Sequence, residues 1–142
     1  YYPRHAHYDW VTTMGAGEAD GERRYFAFNL TRNQSVNQSD YNENLIWLEN
    51  KTSLLPPVTF TRDRASMNFA GRAVWTVRDE YGMVDVRFLV DAQYAILLHA
   101  GLVNIDYFIA FGSLEGRVLD EDGNAYQLDG MMGMGEDKTL LL

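Results

Sequence analysis

Val84-Asp85-Val86-Arg87-Phe88-Leu89-Val90 decides the fold class. The even positions carry Val, Val, Phe and Val, and the odd ones Asp, Arg and Leu. A period of two belongs to a strand with one face in a core and one in water. One-sided strands of this kind are the mark of antiparallel sheets, because parallel strands are covered on both faces. Working outward, the turn Glu80-Tyr81-Gly82 joins this strand to Arg72 to Arg78, where Val74 and Thr76 alternate with Trp75 and Val77. Further upstream, residues 22–32 repeat the pattern, with Phe26, Phe28 and Leu30 against Tyr25, Ala27 and Asn29.

The remaining segments fit the same scheme. Residues 5–14 are rich in aromatic and β-branched types and read as a strand. Gly15, Gly17 and Asp20-Gly21 punctuate the connection that follows. Residues 33–42 form a polar loop of about ten residues, long enough for a lid or a binding loop. Leu45 to Glu49 is a strand turned at Asn50-Lys51, and Pro56-Pro57 places Val58 to Thr61 at a sheet edge or after a bend. Asp63 to Gly71 has room for one helical turn, and Tyr94 to Leu102 reads equally as a short helix or a buried strand. Gly112 and Gly116 mark Val103 to Asp120 as a bent or bulged strand, and Asp122-Gly123 signals a hairpin into Tyr126-Gln127-Leu128. The glycine- and methionine-rich run from Gly130 to Asp137 has no clear assignment. About eight to ten short strands and at most two short helices imply an all-β, antiparallel barrel or strongly curved β-sandwich. Residues 1–142 form one domain with no internal linker.

Composition removes several functions. A net charge of −8 opposes a nucleic-acid or anionic-membrane partner, since both need a basic surface. With no cysteine, disulfides and thiolate metal sites are impossible, which fits a cytoplasmic protein. No apolar run approaches the roughly 20 residues that span a bilayer. The start at Tyr1 and the end on Leu140-Leu141-Leu142 suggest a piece of a longer protein. There is no phosphate loop, dinucleotide fingerprint, nucleophile elbow or kinase signature, and no cofactor is expected.

Candidate site residues fall into three groups. Asn42-Glu43-Asn44, running into Leu45-Ile46-Trp47, offers a carboxylate and two amides that could orient a polar ligand group. Asx residues also end loops and cap turns, so the same residues fit a structural role. His5, His7 and Asp9 lie at i, i+2 and i+4 of a strand and share a face, the spacing of metal ligands. They resemble the first half of the His-x-His motif of cupins, but Val11, Thr12 and Thr13 stand where its glutamate belongs, and no metal is expected. His99, between apolar neighbours, reads as a packed histidine. Glu136 and Asp137 could partner Glu43 as a carboxylate pair for acid–base work, or simply form a solvated acidic end. Glycosylation-type triplets at Asn29, Asn33, Asn37 and Asn50 reflect an Asn/Ser-rich composition.

Several blocks together resemble a known family. They are His7-Tyr8-Asp9-Trp10, Ala27-Phe28-Asn29-Leu30, Asn42-Glu43-Asn44-x-x-Trp47, Leu55-Pro56-Pro57-Val58-Thr59-Phe60, Val84-Asp85-Val86-Arg87-Phe88 and Gly133-x-x-Glu136-Asp137. In this order they resemble the C-terminal half of a bacterial family of unknown function. That family is distantly similar to two-barrel, lipocalin-like proteins that include carotenoid hydratases and certain cyclases. The resemblance implies a lipocalin-like (calycin) barrel, with an N-terminal barrel domain of the same protein as a partner. The departure is at the end, where Lys138-Thr139-Leu140-Leu141-Leu142 replaces an aromatic or basic stretch.

Three functions follow as expectations. The first is a module holding a hydrophobic small molecule or lipid in a barrel cavity. Asn29, Asn42, Asn44, Trp10 and Trp47 would orient the ligand, and Met131, Met132 and Met134 would form an adaptable wall. The second is a hydratase, isomerase or cyclase, with Glu43 or Asp9 protonating a double bond. The third is a barrel that packs on an N-terminal half, for which a large exposed apolar patch would be the sign.

Overall fold

The computed structural model describes residues 4–62 and 73–142. Its strands are β1 (His5–Ala19), β2 (Glu22–Arg32), β3 (Leu45–Leu48), β4 (Lys51–Leu54), β5 (Thr59–Arg62), β6 (Ala73–Arg78), β7 (Val84–Ala100), β8 (Val103–Leu119), β9 (Ala125–Gln127) and β10 (Met132–Leu141). A four-residue helix, α1 (Gln38–Tyr41), lies in the polar loop. Neighbours pair antiparallel in the order β4-β3-β2-β1-β10-β8-β7-β6-β5, and β9 fills the gap between β1 and β8 beyond the end of β10. The fold is an antiparallel β-barrel with additional strands. Its curl carries the edge strand β5 over the sheet, so that Arg62 meets Asp9 on β1 and Asp137 on β10. At the other edge, Lys51 on β4 pairs with Asp122, and Ser53 accepts from the Glu121 amide at 2.9 Å.

Inward-facing residues build the core through the expected alternation. Phe26, Phe28 and Leu30 on β2, Trp75 and Val77 on β6, and Val84, Val86 and Phe88 on β7 are all buried. Trp75 and Phe88 meet edge-to-face with centroids 5.3 Å apart, as do Phe26 and Tyr126 at 5.1 Å. A Cβ added to Gly135 on β10 would lie 2.6 Å from the Trp75 ring and 2.7 Å from Phe88. At this level the barrel is filled by side chains, not by an open lumen.

Several elements differ from the expectations. β1 continues through Gly15 and Gly17, and the turn comes at Asp20-Gly21, both with positive φ. Gly17 is glycine for packing, since a Cβ there would come within 2.7 Å of the Phe26 ring and the Met131 sulfur. Glu49, with φ of 53°, takes the β3–β4 turn one residue early. From Met132 on, the unassigned Gly130 to Asp137 run forms the first part of β10, a central strand between β1 and β8. Tyr94 to Leu102 is neither helix nor buried, because it extends β7 into solvent as a hairpin with β8. His99 is likewise exposed and pairs with Asp106 at 2.7 Å, instead of packing. The expectation for Asp63 to Gly71 falls outside the described residues.

One irregularity governs the surface. The register of β7 on β8 shifts between Val90 and Ala92. Before the shift, even-numbered residues of β7 point inward. After it, Ala92 pairs with exposed Phe111 and Gln93 with buried Ala110, so even-numbered residues point outward. Tyr94, Ile96 and Leu98 on the outer side are 64%, 44% and 48% exposed, and Leu97 on the inner side is 58% exposed, since both faces of this hairpin meet solvent. A one-residue bulge turns the apolar side of the strand inside out.

Candidate functional site

β1 and β10 pair along their lengths, with His7 opposite Thr139, Tyr8 opposite Lys138, Asp9 opposite Asp137 and Trp10 opposite Glu136. Alternation then sends His7, Asp9, Asp137 and Thr139 to the inner face, and Tyr8, Trp10, Glu136 and Lys138 to the outer one. Two polar centres result, back to back across one pair of strands.

The inner centre is a charge network. His7 Nε2 lies 3.1 Å from Asp9 Oδ1, and His7 Nδ1 lies 2.9 Å from Thr139 Oγ1 and 3.7 Å from Asp137 Oδ1. Arg62 donates to Asp9 Oδ1 at 2.5 Å and stands 3.7 Å from Asp137, with its guanidinium 4.2 Å over the Trp75 ring. The hydrogen bond to Asp9 holds the His7 pKa above its ordinary value, against the opposing effect of burial. Burial pushes the Asp9 carboxyl up, but the hydrogen bonds and charges of His7 and Arg62 outweigh it, and the net shift is downward. For Asp137 burial wins over the pull of Arg62, and its pKa is raised. His7, Asp9 and Asp137 place one ligand atom each within 4.8 Å of one another, a spacing that could hold a cation. Arg62 already supplies that positive charge to both carboxylates, so the donor set does not call for a metal. Of the histidines expected to share this face, His5 is exposed and lies outside the cluster.

The outer centre is a groove of about 530 Å³, lined by Tyr8, Trp10, Asn29, Thr31, Glu43 and Glu136. Trp10 Nε1 donates to Asn29 Oδ1, and Asn29 Nδ2 donates to the Glu43 carbonyl at 2.8 Å, which ties β1, β2 and the loop before β3 together. Tyr8 donates to Glu136 Oε2 at 3.3 Å. The Tyr107 pKa is pushed up to about 12, first by burial and then by its hydrogen bond to Glu136. Lys138 Nζ sits 5.9 Å from the Tyr8 ring centroid and 5.4 Å from that of Tyr107. Beyond Trp10 a second groove, of about 540 Å³, is lined by Met14, Ala27, Trp47, Phe111, Met132 and Met134.

The structure thus divides the expected residues by role. Trp10, Asn29, Glu43 and Trp47 gather on the outer grooves, joined by Met132 and Met134, whereas Met131 is buried in the core. Asn44 is spent on the fold: its Oδ1 accepts from the Thr31 amide at 2.7 Å, and its Nδ2 donates to the Pro56 carbonyl at 2.9 Å. Asn42 ties the end of α1 to β3, donating to Gln38 O and accepting from the Asn44 amide. Of the two acidic residues expected to partner Glu43, Glu136 lines the same outer groove, whereas Asp137 faces the inner side of the sheet. Tyr8, Arg62, Tyr107, Lys138 and Thr139 were missed; they meet through the β1–β10 and β10–β8 registers and the curl that brings β5 over the sheet, none of which a local pattern encodes.

These features define an all-β, antiparallel barrel domain whose grooves lie on its outer wall. The chain belongs to the family described as Domain of unknown function (DUF2804), matched over residues 1–141. No curated protein and no solved structure matches it. Among the described residues, no helix is long and apolar enough to cross a membrane.

Proposed function

We propose that this domain is a docking module whose apolar outer face packs against a second β-barrel domain of the same protein. The observation that carries this reading is the outward turn of apolar side chains on β1, β10, β8 and β7. Tyr94, Ile96, Leu98, Phe111, Met132 and Met14 stand exposed on one side of one sheet. Four strands about 4.8 Å apart and about 26 Å long give a face on the order of 500 Å². Glu136 and Lys138 take up part of that face, and its apolar remainder is within what a solitary domain can leave uncovered. A sheet face of this shape is matched by another sheet face at about 10 Å, and the two-barrel resemblance points the same way.

Ile96→Glu in the natural full-length protein tests it. On a solvated face the substitution costs about 0.5 kcal/mol or less. Under a packed partner an uncompensated carboxylate costs about 3 kcal/mol or more. A melting temperature equal to that of the parent would sink the docking reading, and dimerisation of the parent would assign the face to a second copy instead.

The paired grooves favour a second reading, a hydrophobic small molecule or lipid held on the outer wall. Aromatic and methionine side chains would cover its body, while Asn29 and Glu43 would face its polar end. Acid catalysis has less support. Asp9 is kept ionised by His7 and Arg62, and Glu43 is exposed. Asp137, whose pKa burial raises, lies on the other face of the sheet from the grooves.

A further inference from the structure

We propose that the outer groove recognises an organic cation: an ammonium headgroup between Tyr8, Trp10, Glu43 and Glu136, with its apolar body along Trp47, Phe111 and Met134. This rests on the ligand reading of the grooves and adds the charge of the ligand to it.

Three observations carry the inference. First, the charged side chains lining the polar groove, Glu43 and Glu136, are both carboxylates. Second, the Tyr8 ring at its wall and the neighbouring Tyr107 ring already attract a cation, since Lys138 Nζ lies within 6 Å of both centroids. The chain's own ammonium shows what these rings favour. Third, Trp10 lines both this groove and a neighbouring one lined chiefly by apolar groups, which suits a molecule with one charged end and an aliphatic or aromatic body. An anionic headgroup would meet two carboxylates, and a neutral one would leave their charge unused.

The test compares three probes of equal chain length at submicellar concentration: octyltrimethylammonium, 1-octanol and octyl sulfate. Binding is read by calorimetry and by tryptophan emission. The expected result is that the ammonium binds about tenfold tighter than the alcohol, with the sulfate weakest. Glu136→Gln should remove most of that preference. Lys138→Gln, which empties the seat over the two tyrosines, should strengthen it by several-fold, and it gives an independent arm should Glu136→Gln fold poorly. Equal affinity for ammonium and alcohol would overturn the cation inference and leave an apolar groove. Tighter binding of the sulfate would overturn it too. Absence of binding by all three would overturn the ligand reading with it.

Discussion

Gly135→Ala asks whether the barrel is solid where Trp75 and Phe88 meet. The new Cβ would lie 2.6 Å and 3.2 Å from two atoms of the Trp75 ring and 2.7 Å from Phe88. Ordinary carbon contacts are about 3.5–4.0 Å, so the rings would have to give way by about 1 Å. Neither can do so freely, because each is at most 1% exposed and they pack edge-to-face on one another. Overpacking of this kind costs about 1–3 kcal/mol, offset by up to about 1 kcal/mol from the lost flexibility of glycine in the unfolded chain. The net expectation is a loss of about 1–2 kcal/mol. At about 2.1 cal/mol/K per residue, the 142 residues give an unfolding entropy of about 0.3 kcal/mol/K, so the midpoint should fall by about 3–7 °C. Urea and thermal unfolding followed by circular dichroism would measure it. Gly15→Ala is the matched control, since its Cβ would meet only the Met131 methyl at 3.7 Å. If Gly135→Ala unfolds with the parent, space is open beside β10. The filled interior would then be refuted, and a ligand inside the barrel would again be the better expectation.

Two further outcomes follow from the polar groups. Asn44→Ala should cost about 3 kcal/mol, because it strands the Thr31 amide and the Pro56 carbonyl together, whereas Asn42→Ala in the more open loop should cost about 1 kcal/mol; chemical denaturation of both would check the ratio. His7 has a raised folded pKa, so its protonated form stabilises the fold. That contribution is complete below its ordinary value of 6.5 and disappears as pH rises through the raised one. The parent should therefore lose stability on going from about pH 6 towards pH 9, and His7→Gln should flatten that slope in a melting series; equal slopes would remove His7 from the network.

What was legible in the sequence was local. Alternation in residues 22–32 and 84–90 gave strands with the correct faces, and Asp20-Gly21 and Asp122-Gly123 marked turns by their backbone chemistry. The proline pair placed β5 at an edge, where it lies. The Gly130 to Asp137 run was opaque because glycine has two uses that look alike in one dimension. Gly133 and Gly135 are there to make room for Leu114, Trp75 and Phe88, not to bend the chain. The candidate site was half legible for a similar reason. His7 and Asp9 share a face by spacing alone, but Asp137 and Arg62 join them through strand pairing and barrel curl, both long-range.

The bulge after Val90 explains why the surface was harder to read than the core. Even-numbered apolar residues run from Val84 to Leu98 as though one long strand kept one face buried throughout. Apolar alternation reports which residues want to leave water; it does not report on which side of the sheet they will do so. A one-residue shift keeps the pattern and exchanges the sides, so Val84 to Val90 close the barrel while Tyr94 to Leu98 face away from it. The inner side of the same sheet is mixed there, with Leu97 and Phe108 beside His99 and Asp106 on β7 and β8, and His7, Asp9 and Asp137 on β1 and β10. If exposed apolar residues were only scattered, the inversion would have no consequence, since single surface hydrophobes are ordinary. Because Phe111, Met132 and Met14 already stand on the same side of the neighbouring strands, the shift adds the end of β7 to an apolar cluster outside the core. A domain needs only its core to fold; the cluster outside it is available for a partner.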